Sequence, residues 1–274
     1  MNEKLKALRI EQLESVAEVI LLGPGKGNAM GPDFWKEMPV VFEQLGHDPS
    51  VRAVIVRGQG GNFSYGLDLM AAAGLIGPLI ADSTKAGERL DLLDLVGQLQ
   101  RAFDAIEACS KPVIAAVTGW CIGGGLDLVA ACDLRLCTAD TRFSLREAKV
   151  AMVADLGSLQ RLPRIIGEGH TRELAFTGKN IDAARALRIG LVNDVYETEA
   201  ALLDAARALA RDIASNSPLV VRGIKEVLNA SRGKTVAEGL RYVAMWNAAF
   251  LQSNDLSEAF GAFAARREPH FTGR

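Results

Sequence analysis

The chain reads as an α/β protein whose first half alternates buried strands with helices and whose second half is helical. Three observations carry that reading. Short apolar runs rich in β-branched residues stand at 17–22, 51–56, 113–117 and 134–138, the pattern of strands covered on both faces. Between the second and third runs, Leu92, Val96, Leu99, Phe103 and Ile106 recur at spacings of 4, 3, 4 and 3, one stripe of an amphipathic helix. After Leu159 the strand pattern gives way to successive helical segments. Strands joined by helical crossovers argue for an α/β sheet.

Taken in order, the strand at 17–22 ends at Gly23-Pro-Gly25, and 35–45 reads as a helix. The strand at 51–56 stops at Gly58-Gln-Gly-Gly61. Residues 70–87 hold small side chains, Pro78 and several glycines, which predicts a surface loop or a mobile insertion. The helix carrying the apolar stripe ends before Lys111-Pro112, because the residue before a proline disfavours helical geometry. Residues 112–132 carry one charge, Asp127, in 21 residues. Three consecutive glycines and that aspartate interrupt the stretch, so a strand followed by a helix fits better than a membrane span. Helices are predicted at 164–176, 200–215, 219–230, 236–251 and 257–267. The last three hold Trp246 and three phenylalanines, a surface for a partner subunit or for packing within the chain.

Composition narrows the function. With 274 residues the chain buries a large core without staples, and 49% hydrophobic against 23% charged residues excludes a disordered or fibrous chain. The net charge of -2 leaves no basic footprint for nucleic acid. The three histidines, His47, His170 and His270, are far apart, so a histidine-centred mechanism is not expected. Four cysteines lie between Cys109 and Cys137 at spacings of 12, 11 and 5, without a C-x-x-C pair or a nearby histidine. That pattern disfavours zinc and suits buried, reduced thiols. The first residues show no apolar signal region. A cytoplasmic location is the expectation.

The richest window for chemistry is 115–132. A buried strand runs into Gly123-Gly-Gly125 and directly on into an apolar helix. Glycines leave backbone N–H groups uncovered, and a helix start adds unpaired donors and partial positive charge. An oxyanion would be stabilised there. The same glycines are also ordinary punctuation that lets a helix pack closely on a strand, and the phosphate-loop pattern is absent. Asp127 follows two residues later in an apolar run, where an unpaired carboxylate is costly. A charge in a helix's first turn, worth up to about 1 kcal/mol, explains its sign but not its surroundings. Glu147 and Asp155 stand in similar settings. Surface pairing with Arg146 or Lys149 is the plain alternative for Glu147, and capping of a helix starting near Ser158 is the alternative for Asp155. If the three converge, their acidities are driven apart into a base and a protonated acid. The glycine-bearing loop 60–70 after the second strand would offer a second N–H to the same pocket, or simply connect strand to helix.

These residues resemble the crotonase, or enoyl-CoA hydratase/isomerase, superfamily. The resemblance covers nearly the whole chain through Phe63-Ser-Tyr-Gly-Leu-Asp68, Lys111-Pro-Val-Ile-Ala-Ala-Val117, Ile122-Gly-Gly-Gly125 and the C-terminal helices. Within the superfamily it looks most like the 3,5-2,4-dienoyl-CoA isomerases, through Gly124-Gly-Leu-Asp-Leu-Val129, Arg146-Glu-Ala-Lys-Val150, Val153-Ala-Asp-Leu-Gly157 and Tyr242-Val-Ala-Met-Trp-Asn247. Hydratases carry a Glu where this chain has Asp127, and usually an apolar or small residue at Asp155; the dienoyl isomerases carry three acids that match Asp127, Glu147 and Asp155.

The resemblance implies a ββα spiral core at 1–200 and a helical trimerisation region at 201–274, assembled as a homotrimer or a dimer of trimers. It implies an oxyanion hole from the N–H groups of Leu67 and Gly124, a substrate loop of Ser64, Tyr65, Gly66, Leu67 and Asp68, and proton transfer by Glu147 and Asp155 with Asp127 assisting. The expected substrate is an acyl-CoA thioester in β-oxidation, with no metal, no separate cofactor, no nucleic acid and no membrane. Tyr65 stands where relatives usually carry a small residue. The competing readings are a 2-enoyl-CoA hydratase or 3-enoyl-CoA isomerase, and a non-catalytic binding or scaffold protein that kept the fold.

Overall fold

A computed structural model describes residues 5–24, 27–79, 81 and 85–274. Six strands form the main sheet: β1 (Leu8–Leu13), β2 (Val16–Leu21), β3 (Ala53–Gly58), β4 (Val113–Val117), β6 (Leu134–Thr138) and β9 (Asp194–Tyr196). Their order is β1-β2-β3-β4-β6-β9. All neighbours are parallel except β1, which pairs antiparallel with β2. The central strands β2 and β4 are buried along their whole length, as their apolar runs require. The sequence reading has no β1, because LRIEQL alternates apolar with charged residues on an edge strand only partly buried. β3 starts two residues later than the apolar run at 51–56 predicts.

A second, three-stranded sheet places the loops that matter. It is made of β5 (Trp120–Ile122), β7 (Arg142–Ser144) and β8 (Ile181–Asp182). Isolated bridges tie Ser64 to Cys121 and Met30 to Leu67. The 112–132 stretch therefore resolves into β4, β5 and helix α4 (Gly124–Ala131). Among the described residues no helix is long and apolar enough to cross a membrane.

Helices cover both faces of the main sheet. On one side α1 (Pro32–His47), α3 (Ala86–Ala108), α4 and α5 (Ser158–Thr177) enclose the larger core around Phe34, Phe42, Phe63, Phe103 and Phe143. On the other side α7 (Glu199–Ser215) lays Leu202, Ala206 and Ala210 on Val16, Ala53, Ile55, Ile114, Ala116 and Leu136. That set is one alternate face of each strand, as the pleat dictates. Glu18 is on the same face, fully buried, and its carboxylate receives Arg57 at 2.8 Å and Arg207 of α7 at 2.6 Å.

The predicted loop at 70–87 is corrected in part. Residues Leu69–Ile76 form helix α2, followed by a tight turn at Gly77–Leu79, while 80 and 82–84 lie outside the described residues. Its sequence, LMAAAGLI, is rich in good helix formers once a cap exists. Asp68 supplies that cap, its side chain accepting from the N–H groups of Met70 and Ala71 at 3.1 Å. The helices predicted in the second half are present as α5, α7, α8 (Pro218–Ala230), α9 (Val236–Phe250) and α10 (Asn254–Ala265), with the short α6 (Ala183–Arg188) added. α5 begins six residues before the predicted 164 and turns sharply at Gly167, whose φ is 77°.

Candidate active site

Two loops meet at one point. After β3 the chain is pinned by Asn28, whose side-chain N–H donates to the carbonyls of Gln59 and Asn62 at 2.9 and 2.8 Å. The buried Ser64 hydroxyl donates to Asn28 O and accepts the Gly66 N–H, at 2.9 and 3.0 Å. Met30 N–H donates to Gly66 O and Asp68 N–H to Met30 O. These bonds flank Leu67 and leave its own N–H outside the ladder. Gly66 has a φ of 81°, and a Cβ there would come within 2.6 Å of Ile122 O and 2.8 Å of Gly124 N. Only glycine tolerates both constraints.

The three glycines then divide the work. Gly123 (φ 52°) caps α4 and donates its N–H to Ser144 O at 2.9 Å. Gly124 opens the helix, so its N–H has no acceptor within the helix, and a Cβ on it would lie 3.6 Å from Leu67 N. Gly125 serves packing, since a Cβ there would meet Ser64 O at 2.8 Å. The packing reading applies to Gly125, and Gly124 is the residue whose N–H is left uncovered. The amides of Leu67 and Gly124 adjoin, and neither N–H meets an acceptor among the described residues.

The acids gather beside them. Asp127 is 1% exposed; its Oδ1 accepts the N–H and the hydroxyl of Ser158, both at 2.6 Å, and its Oδ2 is buried without a partner. Burial pushes this carboxyl up to about 6 against the lowering by Ser158. Glu147 starts a tight turn, Glu147–Val150, and its Oε1 is 3.0 Å from where a Cβ on Gly123 would stand. Its Oε2 is buried and unpartnered. Burial, then the nearby Asp127 charge, raises Glu147 to about 7. It does not pair with Arg146 or Lys149: Arg146 bonds Ser144 and Asn180 instead.

Asp155 sits on the irregular stretch that follows, exposed but anchored by the buried Ala154 and Leu156 on either side. Partial burial raises its carboxyl, and its charge raises both Asp127 and Glu147. The capping role considered for Asp155 is corrected: Gly157, at φ 121°, is the residue that starts α5, and the carboxylate on the first amide is Asp127 of α4. Among the described residues no cation forms an ion pair with any of the three acids.

The remaining loop residues have identifiable tasks. Ser64 and Asp68 spend their polar atoms on the loop and on the start of α2. Tyr65 is 46% exposed, its ring against Gly27. A small cavity of about 20 Å³ behind Leu67 is lined by Met30, Trp35, Leu95 and Leu99. A cavity of about 490 Å³ lies elsewhere, between α8 and the α4–β6 corner. Sequence reasoning missed Ser158, Asn28 and Gln100, whose side-chain N–H donates to Asp155 O at 2.6 Å. Each acts on a residue more than 30 positions away, so no local pattern announces it.

Residues 11–274 match the sequence profile of the enoyl-CoA hydratase/isomerase family. The mitochondrial Delta(3,5)-Delta(2,4)-dienoyl-CoA isomerase of Dictyostelium discoideum is 45% identical, over 97% of this chain and 91% of its own. The peroxisomal Delta(3,5)-Delta(2,4)-dienoyl-CoA isomerase of Arabidopsis thaliana is 40% identical, over 97% of this chain and 96% of its own. The crystal structure of an enoyl-CoA hydratase from Bacillus anthracis superposes with a TM-score of 0.89 at 28% identity, covering 98% of this chain and 100% of that one. The organellar relatives overturn the expected cytoplasmic location. Buried, reduced thiols argue at most against an oxidising compartment and do not separate the cytosol from an organelle interior. A match that runs from the first strands through the glycine turn and all three acids to the C-terminal helices makes the chain a member of the enoyl-CoA hydratase/isomerase, or crotonase, family.

Proposed function

We propose that the chain isomerises 3,5-dienoyl-CoA to 2,4-dienoyl-CoA in the β-oxidation of unsaturated fatty acids. The observation that carries this reading is the set of three acids that form no ion pair among the described residues, beside two adjoining backbone donors. The thioester oxygen docks on the N–H groups of Leu67 and Gly124. Glu147 removes the C2 proton, and the electron pair delocalises from the enolate oxygen through C2 and C4 to C6. Asp155, protonated, delivers a proton to C6; the C3=C4 and C5=C6 bonds become C2=C3 and C4=C5. Solvent returns the proton from Glu147 to Asp155 for the next turnover. A carboxylate near 7 is a far stronger base than an ordinary one and is still substantially ionised at neutral pH. Asp127, beside Glu147, strengthens that base. Moving a proton between two carbons calls on no metal or redox chemistry.

The loop 64–68 carries the thioester end of the substrate, and Tyr65 narrows the mouth. The assembly region of a trimer or a dimer of trimers lies within residues 201–274. α7 lies on the sheet, so assembly falls to the following helices, where Val236, Leu240, Phe260 and Phe263 are 63–85% exposed.

The test is growth of conjugated-diene absorbance with 3,5-octadienoyl-CoA. Glu147→Gln and Asp155→Asn should each lose about 10²–10⁴-fold in turnover while staying folded. Near-normal turnover by either variant, or hydration of crotonyl-CoA as fast as diene migration, overturns the assignment.

A further inference from the structure

The acid that must reach C6 is the least secured of the three. Asp127 and Glu147 are held by a helix and by a tight turn, whereas Asp155 lies on an irregular stretch with an exposed side chain that no other side chain contacts by a hydrogen bond among the described residues. Its place is therefore set by its backbone. Two side chains tie that backbone: Gln100 Nε2 donates to Asp155 O at 2.6 Å, and Arg161 donates to Leu156 O at a long 3.4 Å. The Gln100 bond is the shorter, and it falls on the acid itself.

Gln100 also has a telling address. α3 is anchored beyond it by Ala102, Phe103 and Ile106, all 0% exposed, while before it Leu90 and Leu93 are 63% and 66% exposed. The preceding residue, Leu99, lines the small cavity behind Leu67. Consecutive residues of one helix thus serve both groups: Leu99 shares that cavity with Leu67, and Gln100 bonds the backbone of the acid, the groups that act on opposite ends of the conjugated system.

We infer that Gln100 is the positioning residue for Asp155, fixing the acid relative to the oxyanion donors so that the proton is delivered at the far carbon. This rests on the proposed isomerisation. Loss of the bond lets Asp155 drift, and drift of about 1 Å is enough to impair a proton transfer that depends on alignment. Proton removal at C2 does not involve that bond and is left alone.

The two half-reactions can be measured apart. In D2O, exchange of the C2 hydrogens of 3,5-octadienoyl-CoA reports enolate formation, and diene absorbance reports delivery at C6. Gln100→Met keeps the volume and removes the donor. It should lower diene formation about tenfold with C2 exchange within about twofold of wild type. In an Asp155→Asn background the same substitution should change neither reading. Equal loss of both half-reactions, no loss of either, or a further loss in the Asp155→Asn background overturns the role. A wild-type enzyme that exchanges C2 and forms no diene, or does neither, overturns the isomerase reading and this role with it.

Discussion

Glu18 and Asp127 are both withdrawn from water, at 0% and 1% exposure, yet their acidities have moved in opposite directions. Burial raises each of them. At Glu18 the guanidiniums of Arg207 and Arg57 outweigh burial and hold the carboxyl below its usual range. At Asp127 the uncharged donors of Ser158 and a weaker pull from Arg161, which forms no ion pair with it, fall short of burial, and the carboxyl stays raised. The contrast separates two uses of a buried acid. Under α7 a charge is neutralised by cations and its job is to join sheet to helix; beside the glycine turn the charge is left uncompensated, and protons can come and go near neutral pH.

Apart from the acids themselves, the largest effect expected concerns the donors beside them. Gly66→Ala forces a Cβ into Ile122 O and Gly124 N at a positive φ, and should cost about 10²–10³-fold in turnover, the worth of one oxyanion donor. Steady-state kinetics checks it; a variant that keeps wild-type turnover would mean the acids work without this pocket.

A comparable loss, in stability alone, is expected at the other acid. Glu18→Gln leaves Arg57 and Arg207 facing a buried neutral group and should destabilise by about 2–3 kcal/mol, below the figure for a fully buried pair because Arg207 is partly exposed. Turnover per folded molecule should not change. Urea unfolding beside active-site titration tests both statements, and a stable Glu18→Gln protein would erase the contrast.

The smallest effect is a pH signature. Between the ordinary value of 4.5 and about 7, the folded protein holds more protons at Glu147 than the unfolded chain. Stability therefore falls as pH rises through that window and is level above it. Glu147→Gln removes this penalty, so the variant should gain on the order of 1–2 kcal/mol over wild type at pH 8 and nothing near pH 4. Glu18 has the reverse sign: its contribution is present above 4.5 and is lost on acidification below that. An equal difference between wild type and Glu147→Gln at both pH values would show that Glu147 is not held raised.

Much of this is legible in the amino-acid sequence alone. β2 and β4 announce themselves because strands covered on both faces must be mostly apolar, Glu18 being the exception that its two arginines allow. The glycine turn is visible because only glycine meets its backbone demands, and the acids stand out against apolar neighbours. What escaped was whatever depends on distant partners. An edge strand such as β1 hides its periodicity among charges, and the alanines of α2 were outvoted by the glycines and proline around them. Asp155 beside Gly157 looks like a cap locally, yet the first amide of α5 is answered from α4. Ser158 and Gln100 are ordinary residues in ordinary helices, and they gain meaning only from the acid each one touches.

The two bonds from Ser158 to Asp127 have a consequence for observing the enzyme at work. The amide at the head of α5 rests on a carboxylate oxygen at 2.6 Å, so its electronic environment follows the charge of that carboxylate. Protonation of Asp127 weakens the bond, and the nitrogen and hydrogen frequencies of that single peptide group shift with it. In a 15N-labelled sample, the Ser158 resonance is a built-in voltmeter for the candidate active site, readable without a substrate, a dye or a substitution.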